Sequence, residues 1–284
     1  MLGKLYIVAT PIGNLSDMTP RGIKVLTNVD IIAAEDTRHS RVLLSHFGIK
    51  TPTFSCHKFN EDKRGAFFIS ALMDGKDVAL ISDAGTPCIS DPGHKLVAMA
   101  ASAGLDVISV CGANAVAAAL SVAGMDASQF IFLGFLPRSF GEIEKIIGMV
   151  SYRFFYPIVF YESPMRIAKT LVWFEKNYPY ADVCLCNDLT KKFERVYRGT
   201  PRIVLDNLHS NQNAQKGEYT CVIRLNIKEE PKEVDELSIE AQLIDIIVKE
   251  GCTLKDAGNL LHKKNNDYGK KAIYAASLRL KELL

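Results

Sequence analysis

No run of eighteen apolar residues occurs in the 284-residue chain, and the apolar stretch in MLGKLYIVATPIGN is too short for a signal peptide. A membrane span is therefore not expected, and a cytoplasmic protein is. Charge of one sign is also lacking: 34 Lys and Arg face 32 Asp and Glu, a formal charge of +2. That excludes the strongly basic signature of many nucleic-acid binders but leaves room for a local basic patch. Cysteine is scattered (Cys56, Cys88, Cys111, Cys184, Cys186, Cys221, Cys252), with no CxxC pair and no His at zinc spacing, so no metal site is expected. These read as reduced, mostly buried thiols, with Cys184 and Cys186 on one face of a strand. Neither GxGxxG nor GxxxxGK[ST] is present, which removes the usual support for an NAD or ATP site.

What is there is a core and a loop. Apolar residues make up 48% of the chain, enough for one large or two ordinary domains. Val78 to Ile81 is apolar without alternation, as in a strand covered on both faces, and it stops at the turn-rich stretch Ser82 to Gly93. In open α/β sheets ligands bind outside the carboxyl ends of strands. Gly85 admits close backbone approach there, while Asp83, Thr86, Ser90 and Asp91 offer hydrogen bonds to a polar small molecule. The alternative is a plain strand-to-helix connection with Asp91 near a helix N-cap.

The same plan repeats along the chain. Leu5 to Ala9 is a strand that breaks at Thr10–Pro11–Ile12–Gly13–Asn14, and helical spacing follows over Met18 to Val29. Val29 to Ala34 is a third strand, ending on Glu35, Asp36, Arg38 and Arg41; helix capping by Asp36 and Thr37 is the alternative to a site. His57 to Arg64 is expected to be a solvent-facing loop. His94 to Ala103 reads as a helix, Val107 to Val110 as a strand, and Cys111 to Met125 as a glycine turn entering an Ala-rich helix. About five strand–helix alternations in residues 1–125 imply a mostly parallel sheet with helices on both faces.

A second round opens with the strand Phe130 to Phe135, a helix over 141–153 with Arg153 near its end, and PIVFYESPMR, which carries Glu162 and Arg166. Asp182 to Cys186 and Lys216 to Leu225 complete a mixed α/β half over 126–227, the latter strand reading as alternating. Residues 228–284 read as an acidic linker opening on Pro231 and a three-helix module, started by Ser238 and by the Thr253/Asp256 pair. The module's last part is basic, with Lys263, Lys264, Lys270, Lys271, Arg279 and Lys281 against Asp267 and Glu282. A solvated face is the default there and RNA contact the alternative.

Seven stretches in order, TPIGNL (10–15), AEDTR (34–38), ISDAGTPCISDPG (81–93), GFLPR (134–138), FYESPMR (160–166), DLTKKFE (188–194) and KGEY (216–219), resemble the RsmI-type small-subunit (16S) rRNA cytidine 2′-O-ribose methyltransferases of the tetrapyrrole-methylase superfamily. The resemblance spans residues 4–226. It implies a two-domain α/β tetrapyrrole-methylase-like fold, a mostly parallel sheet and a mixed one, followed by a small helical module. It implies S-adenosylmethionine as cofactor, met by Pro11, by the loop Asp83, Ala84, Gly85, Thr86, Ile89 and Ser90, by Asn114 and Ala115, and by Tyr161. It further implies small-subunit rRNA as substrate and a homodimer. One departure stands out: Cys111–Gly112–Ala113–Asn114–Ala115 replaces the family's PGPSA.

Methyl transfer to a ribose hydroxyl needs alignment with the sulfonium and a base for the hydroxyl proton. Glu35, Asp36, Glu162, Lys191 and Glu194 are the candidates. Asp36 or Glu35 is favoured, with Arg38 placing a phosphate, and an ion-pair cluster holding the loop is the alternative. Rival functions are a precorrin-type tetrapyrrole methyltransferase and a non-catalytic nucleotide-sensing or RNA-binding module.

Overall fold

The computed structural model describes residues 1–151, 156–226, 238–264 and 269–283. The chain falls into two compact units, Met1–Ile227 and Lys228–Leu284, so both sheets belong to the first. The expected helix end at Arg153, the linker around Pro231 and the acidic Asp267 lie outside the described residues.

The first sheet is built from β1 (Leu5–Val8), β2 (Ile31–Ala34), β3 (Thr53–Ser55), β4 (Val78–Ile81) and β5 (Val107–Val110). All are parallel, in the order β3-β2-β4-β1-β5. Crossovers are α1 (Pro20–Asn28), α2 (Thr37–His46), α3 (Glu61–Met73) and α4 (His94–Ser102). The unbroken apolar run of β4 follows from its position between β2 and β1 with both faces covered. Val78 and Leu80 pack with Phe68 and Leu72 of α3 and Leu96 of α4. Ala79 and Ile81 face the other way, against Leu26 of α1 and Leu44 of α2.

After α5 (Ala115–Ala123) come β6 (Ile131–Phe135), α6 (Phe140–Ser151), β7 (Ile158–Glu162), α7 (Ile167–Asn177), β8 (Asp182–Asn187), β9 (Arg195–Gly199), α8 (Pro201–His209) and β10 (Tyr219–Arg224). They form a mixed sheet of order β6-β7-β10-β8-β9, in which β6 and β7 are parallel and the other pairs antiparallel. α6, α7 and α8 cover one face, through Ile143, Ile147, Leu171, Phe174, Val204 and Leu208. α5 covers the other, with Val116, Ala119, Leu120 and Ala123 against Val159, Cys184, Cys186 and Val222. The Sγ atoms of Cys184 and Cys186 are 3.9 Å apart on that shared face. Because α5 closes the second face, Tyr219 through Ile223 are all buried, and the alternation expected for this strand is not found.

The stretch His57–Arg64 also departs from expectation. Lys58, Phe59, Asp62, Lys63 and Arg64 are exposed as expected, but the stretch is not all loop: α3 starts at Glu61, whose side chain is only 2% exposed. Its Oε1 accepts from the backbone N–H groups of Gly93 (3.0 Å), Lys95 (2.9 Å) and Leu96 (3.3 Å), the start of α4. α4 has Gly93 as N-cap with no capping side chain of its own, and Asp91 does not cap it. A carboxylate from another helix therefore does the capping, where orphan N–H groups and the helix dipole favour an anion.

The second unit comprises α9 (Ile239–Glu250), α10 (Leu254–Lys264) and α11 (Lys270–Leu283). They close around Leu243, Ile246, Ala257, Leu261, Ile273, Ala276 and Leu280. Ser238 accepts from Ala241 N–H at 3.3 Å, and Thr253 and Asp256 make the expected capping pair. Among the described residues no helix is long and apolar enough to cross a membrane.

Glu61→Ala would leave buried N–H groups unpaired and is expected to cost about 1–3 kcal/mol or more. Glu61→Gln, which keeps an acceptor, should lose less. Denaturant midpoints of the two variants check the order.

Candidate functional site

The loops that follow β1 and β4 are joined directly. Thr10 and Gly85 exchange backbone hydrogen bonds, Thr10 N–H to Gly85 C=O at 2.9 Å and Gly85 N–H to Thr10 C=O at 3.0 Å. The Thr10 hydroxyl, buried, donates to Ser82 C=O at 3.2 Å. Gly85 sits at φ +81°, a conformation that side chains disfavour, and a Cβ there would meet Ile12 Cγ2 at 3.2 Å. The turn after β5 joins them through Thr86, whose hydroxyl donates to Ala113 C=O at 3.2 Å.

These loops form one wall of a cavity of about 330 Å³. Ala84, Gly85, Thr86, Ile89, Ser90, Asn114, Ala115 and Tyr161, eight of the expected cofactor contacts, line it together. Pro11 and Asp83 do not. Pro11 is held between Thr10 and Ile12, and it is Ile12 that reaches the cavity. Asp83 turns to the neighbouring loop, where its Oδ1 accepts from Asp36 N–H at 3.1 Å. The Asn114 side chain accepts from Val116 and Ala117 N–H (2.9 and 3.1 Å) as N-cap of α5. Asn114 thus serves as a helix cap, a role to which asparagine and serine are equally suited.

The opposite wall comes from strand ends of the second sheet. Of the residues expected at a site, Tyr161 and the candidate base Glu162 lie there. Phe135 ends β6, is 66% exposed and packs edge-on to Tyr161 with centroids 5.4 Å apart. Ser163 and Pro164 follow β7, Leu189 follows β8, and Gly217 to Thr220 lead into β10. Each except Thr220 belongs to a stretch already marked by its motif; only strand order shows that they converge. Because β10 runs antiparallel to β7, its beginning lies beside the end of β7.

The catalytic candidates divide sharply. Asp36 does not line the cavity: it caps α2, accepting from Arg38 N–H at 2.8 Å and pairing with the Arg38 guanidinium at 3.0 Å. Those bonds to Arg38 hold its carboxyl down to about 2, which makes it a poor proton acceptor near neutrality. The capping alternative is the arrangement found. Arg38 is 88% exposed. Glu35 also stands behind the lining, its Oε2 3.5 Å from the Asp83 N–H. Burial, then the nearby Asp91, raises its pKa.

Glu162 is buried and fully engaged: Ser163 N–H at 2.8 Å, Thr170 Oγ1 at 2.9 Å and the Arg166 guanidinium at 3.3 Å. Arg166 in turn donates to Leu136 C=O at 3.1 Å and Pro137 C=O at 2.5 Å, so this pair ties β6 to β7. Lys191 Nζ is shared by Asp188 and Glu218, both at 2.9 Å. Glu194 accepts from Thr190 N–H at 2.5 Å. Among the described residues no group of three His, Cys, Asp or Glu is placed to hold a metal ion.

Asp91 lines the cavity, and its pKa is raised, first by burial and then by Asp83, against a Ser82 hydrogen bond that lowers it. For an acid whose folded pKa lies above its unfolded value, folding is penalised as pH rises through that interval, and the penalty persists above it. Asp91→Asn is therefore expected to be more stable than the wild type at about pH 8, with the difference vanishing near pH 3, below the ordinary carboxylate range. Thermal melts across pH check this; a less stable variant at pH 8 would contradict it.

Residues 4–203 match the family model described as Tetrapyrrole (Corrin/Porphyrin) Methylases. The chain belongs to this family. It is 42% identical over 262 residues to ribosomal RNA small subunit methyltransferase I of Pseudomonas aeruginosa, covering 91% of each chain. To the protein of that name from Pasteurella multocida it is 38% identical, covering 98% of each. Among solved structures it resembles diphthine synthase (TM-score 0.61, 14% identity, 78% of this chain and 90% of that one). It also resembles cobalt precorrin-4 methyltransferase (TM-score 0.57, 18% identity, 77% and 94%). At those identities the likeness is one of fold.

Proposed function

We propose that this protein transfers a methyl group from S-adenosylmethionine to the 2′-hydroxyl of a cytidine in small-subunit ribosomal RNA. The observation that carries it is the cavity at the carboxyl ends of β1 and β4, closed by the second sheet, in a chain with such relatives. The residues present fit the cofactor. Gly85 and Ala84 bring backbone to the cavity surface, and about 330 Å³ lies at the lower end of small-ligand sites. Bound there, S-adenosylmethionine supplies a methyl carbon on a positively charged sulfonium.

The chain's own residues do the positioning. Ala84 to Ser90, with Asn114 and Ala115, form the cofactor wall, and Thr10 and Asp83 hold that wall in place through Gly85 and Asp36. Tyr161 and Phe135 offer aromatic surface opposite, suited to stacking on a base. Holding attacking and leaving atoms in line accounts for about 7–11 kcal/mol of barrier in well-oriented reactions. Arg38, exposed beside Asp36, is available to an RNA phosphate.

Small ribosomal subunits and naked rRNA from cells lacking the enzyme are the test substrates. Transfer of labelled methyl to one cytidine, with alkaline cleavage blocked at that position, is the expected result; cofactor binding without transfer to either would refute it. Gly85→Val, which forces a branched side chain into φ +81° against Ile12, is expected to weaken S-adenosylmethionine binding about tenfold or more in calorimetry.

A further inference from the structure

Among the described residues three carboxylates line the cavity: Asp91, Glu162 and Glu218. Two are already committed. Glu162 is held by Thr170, Ser163 N–H and Arg166, and Glu218 is held by Lys191. Asp91 differs from both in making no ion pair among the described residues, with the Ser82 hydroxyl beside it. It also sits at the end of the loop whose earlier residues, Ala84 to Ser90, form the proposed cofactor wall. Tyr161, from the second sheet, senses its charge across the cavity.

Resting on the methyl-transfer reading above, we propose that Asp91 is the catalytic base, taking the proton of the ribose 2′-hydroxyl. The 2′-oxygen bonds to the methyl carbon as the carbon–sulfur bond breaks. The electron pair of that bond leaves with sulfur, which becomes a neutral thioether, and the hydroxyl proton passes to an Asp91 carboxylate oxygen and then to solvent.

The titratable groups near Asp91 are Glu35, Asp83, Cys88 and Tyr161. Burial is the first cause that raises Cys88 to about 11 and Tyr161 to about 12, so neither competes for the proton near neutrality. Asp36, the candidate favoured by sequence, lacks both the position and the basicity.

The test combines single-turnover transfer with cofactor calorimetry on Asp91→Asn and Asp91→Glu. Asp91→Asn is expected to bind S-adenosylmethionine within about threefold of wild type while transfer falls about 10²- to 10⁴-fold. The wild-type rate is expected to rise with pH as Asp91 ionises, and the Asp91→Asn rate to lose that rise. Asp91→Glu should restore part of the rate. Unchanged transfer by Asp91→Asn, or a loss of cofactor affinity equal to the loss of rate, would overturn the assignment while leaving the methyl-transfer reading intact. A wild-type protein that moves no methyl to RNA would overturn both.

Discussion

Two strand ends that are neighbours in a parallel sheet do not by themselves hold their loops together, since ladder hydrogen bonding stops with the strands. Here the exchange of hydrogen bonds between Thr10 and Gly85 carries the pairing of β1 and β4 past the sheet edge. The Thr10 hydroxyl adds a bond to Ser82 C=O. Each such bond contributes on the order of 1 kcal/mol, and the turn is possible only because Gly85 takes φ +81°. The position of Ala84, Thr86 and the residues after them depends on that link. Farther along the same loop, Glu61 fixes the start of α4, so both ends of the segment that bears Asp91 are anchored.

The far wall depends on other fixed points. α5, which follows directly from the cavity residue Asn114, packs on the second sheet through Val116, Ala119 and Leu120, so one helix joins the two layers. Glu162 and Arg166 tie the ends of β6 and β7, and Lys191 joins the loop after β8 to the start of β10. Gly13 packs closely on this last loop: a Cβ there would come within 2.4 Å of Lys191 Cγ. Polar groups that sequence offered as bases are thus largely spent on holding loops, which leaves Asp91 free for chemistry.

Much of this was legible in the sequence because burial writes itself into local pattern. Val78–Ile81 and Val107–Val110 are strands over the range read from the apolar run, and the turn residues behind β4 do line a cavity. Local pattern failed where the deciding partner is distant in the chain. Glu61 looks solvated beside Asp62, Lys63 and Arg64, yet its carboxylate is required by N–H groups some thirty residues on. Asp36 looks like a base among charges, yet it caps its own helix. Phe135 and Gly217 to Thr220 reach the cavity through a strand order that no local spacing encodes. The unbroken burial of Tyr219–Ile223 in β10 required knowing that α5, from the first half, covers its second face.

The central claim is that loops of both sheets form a single site for S-adenosylmethionine. Hydrogen–deuterium exchange of the protein with and without this cofactor tests it most directly, since backbone protection reports each loop separately. The account predicts slowed exchange in Ile12–Asn14, Ser82–Gly93 and Gly112–Val116 of the first layer, together with Tyr161–Ser163 and Gly217–Thr220 of the second. Protection confined to one layer, or to neither, would contradict it.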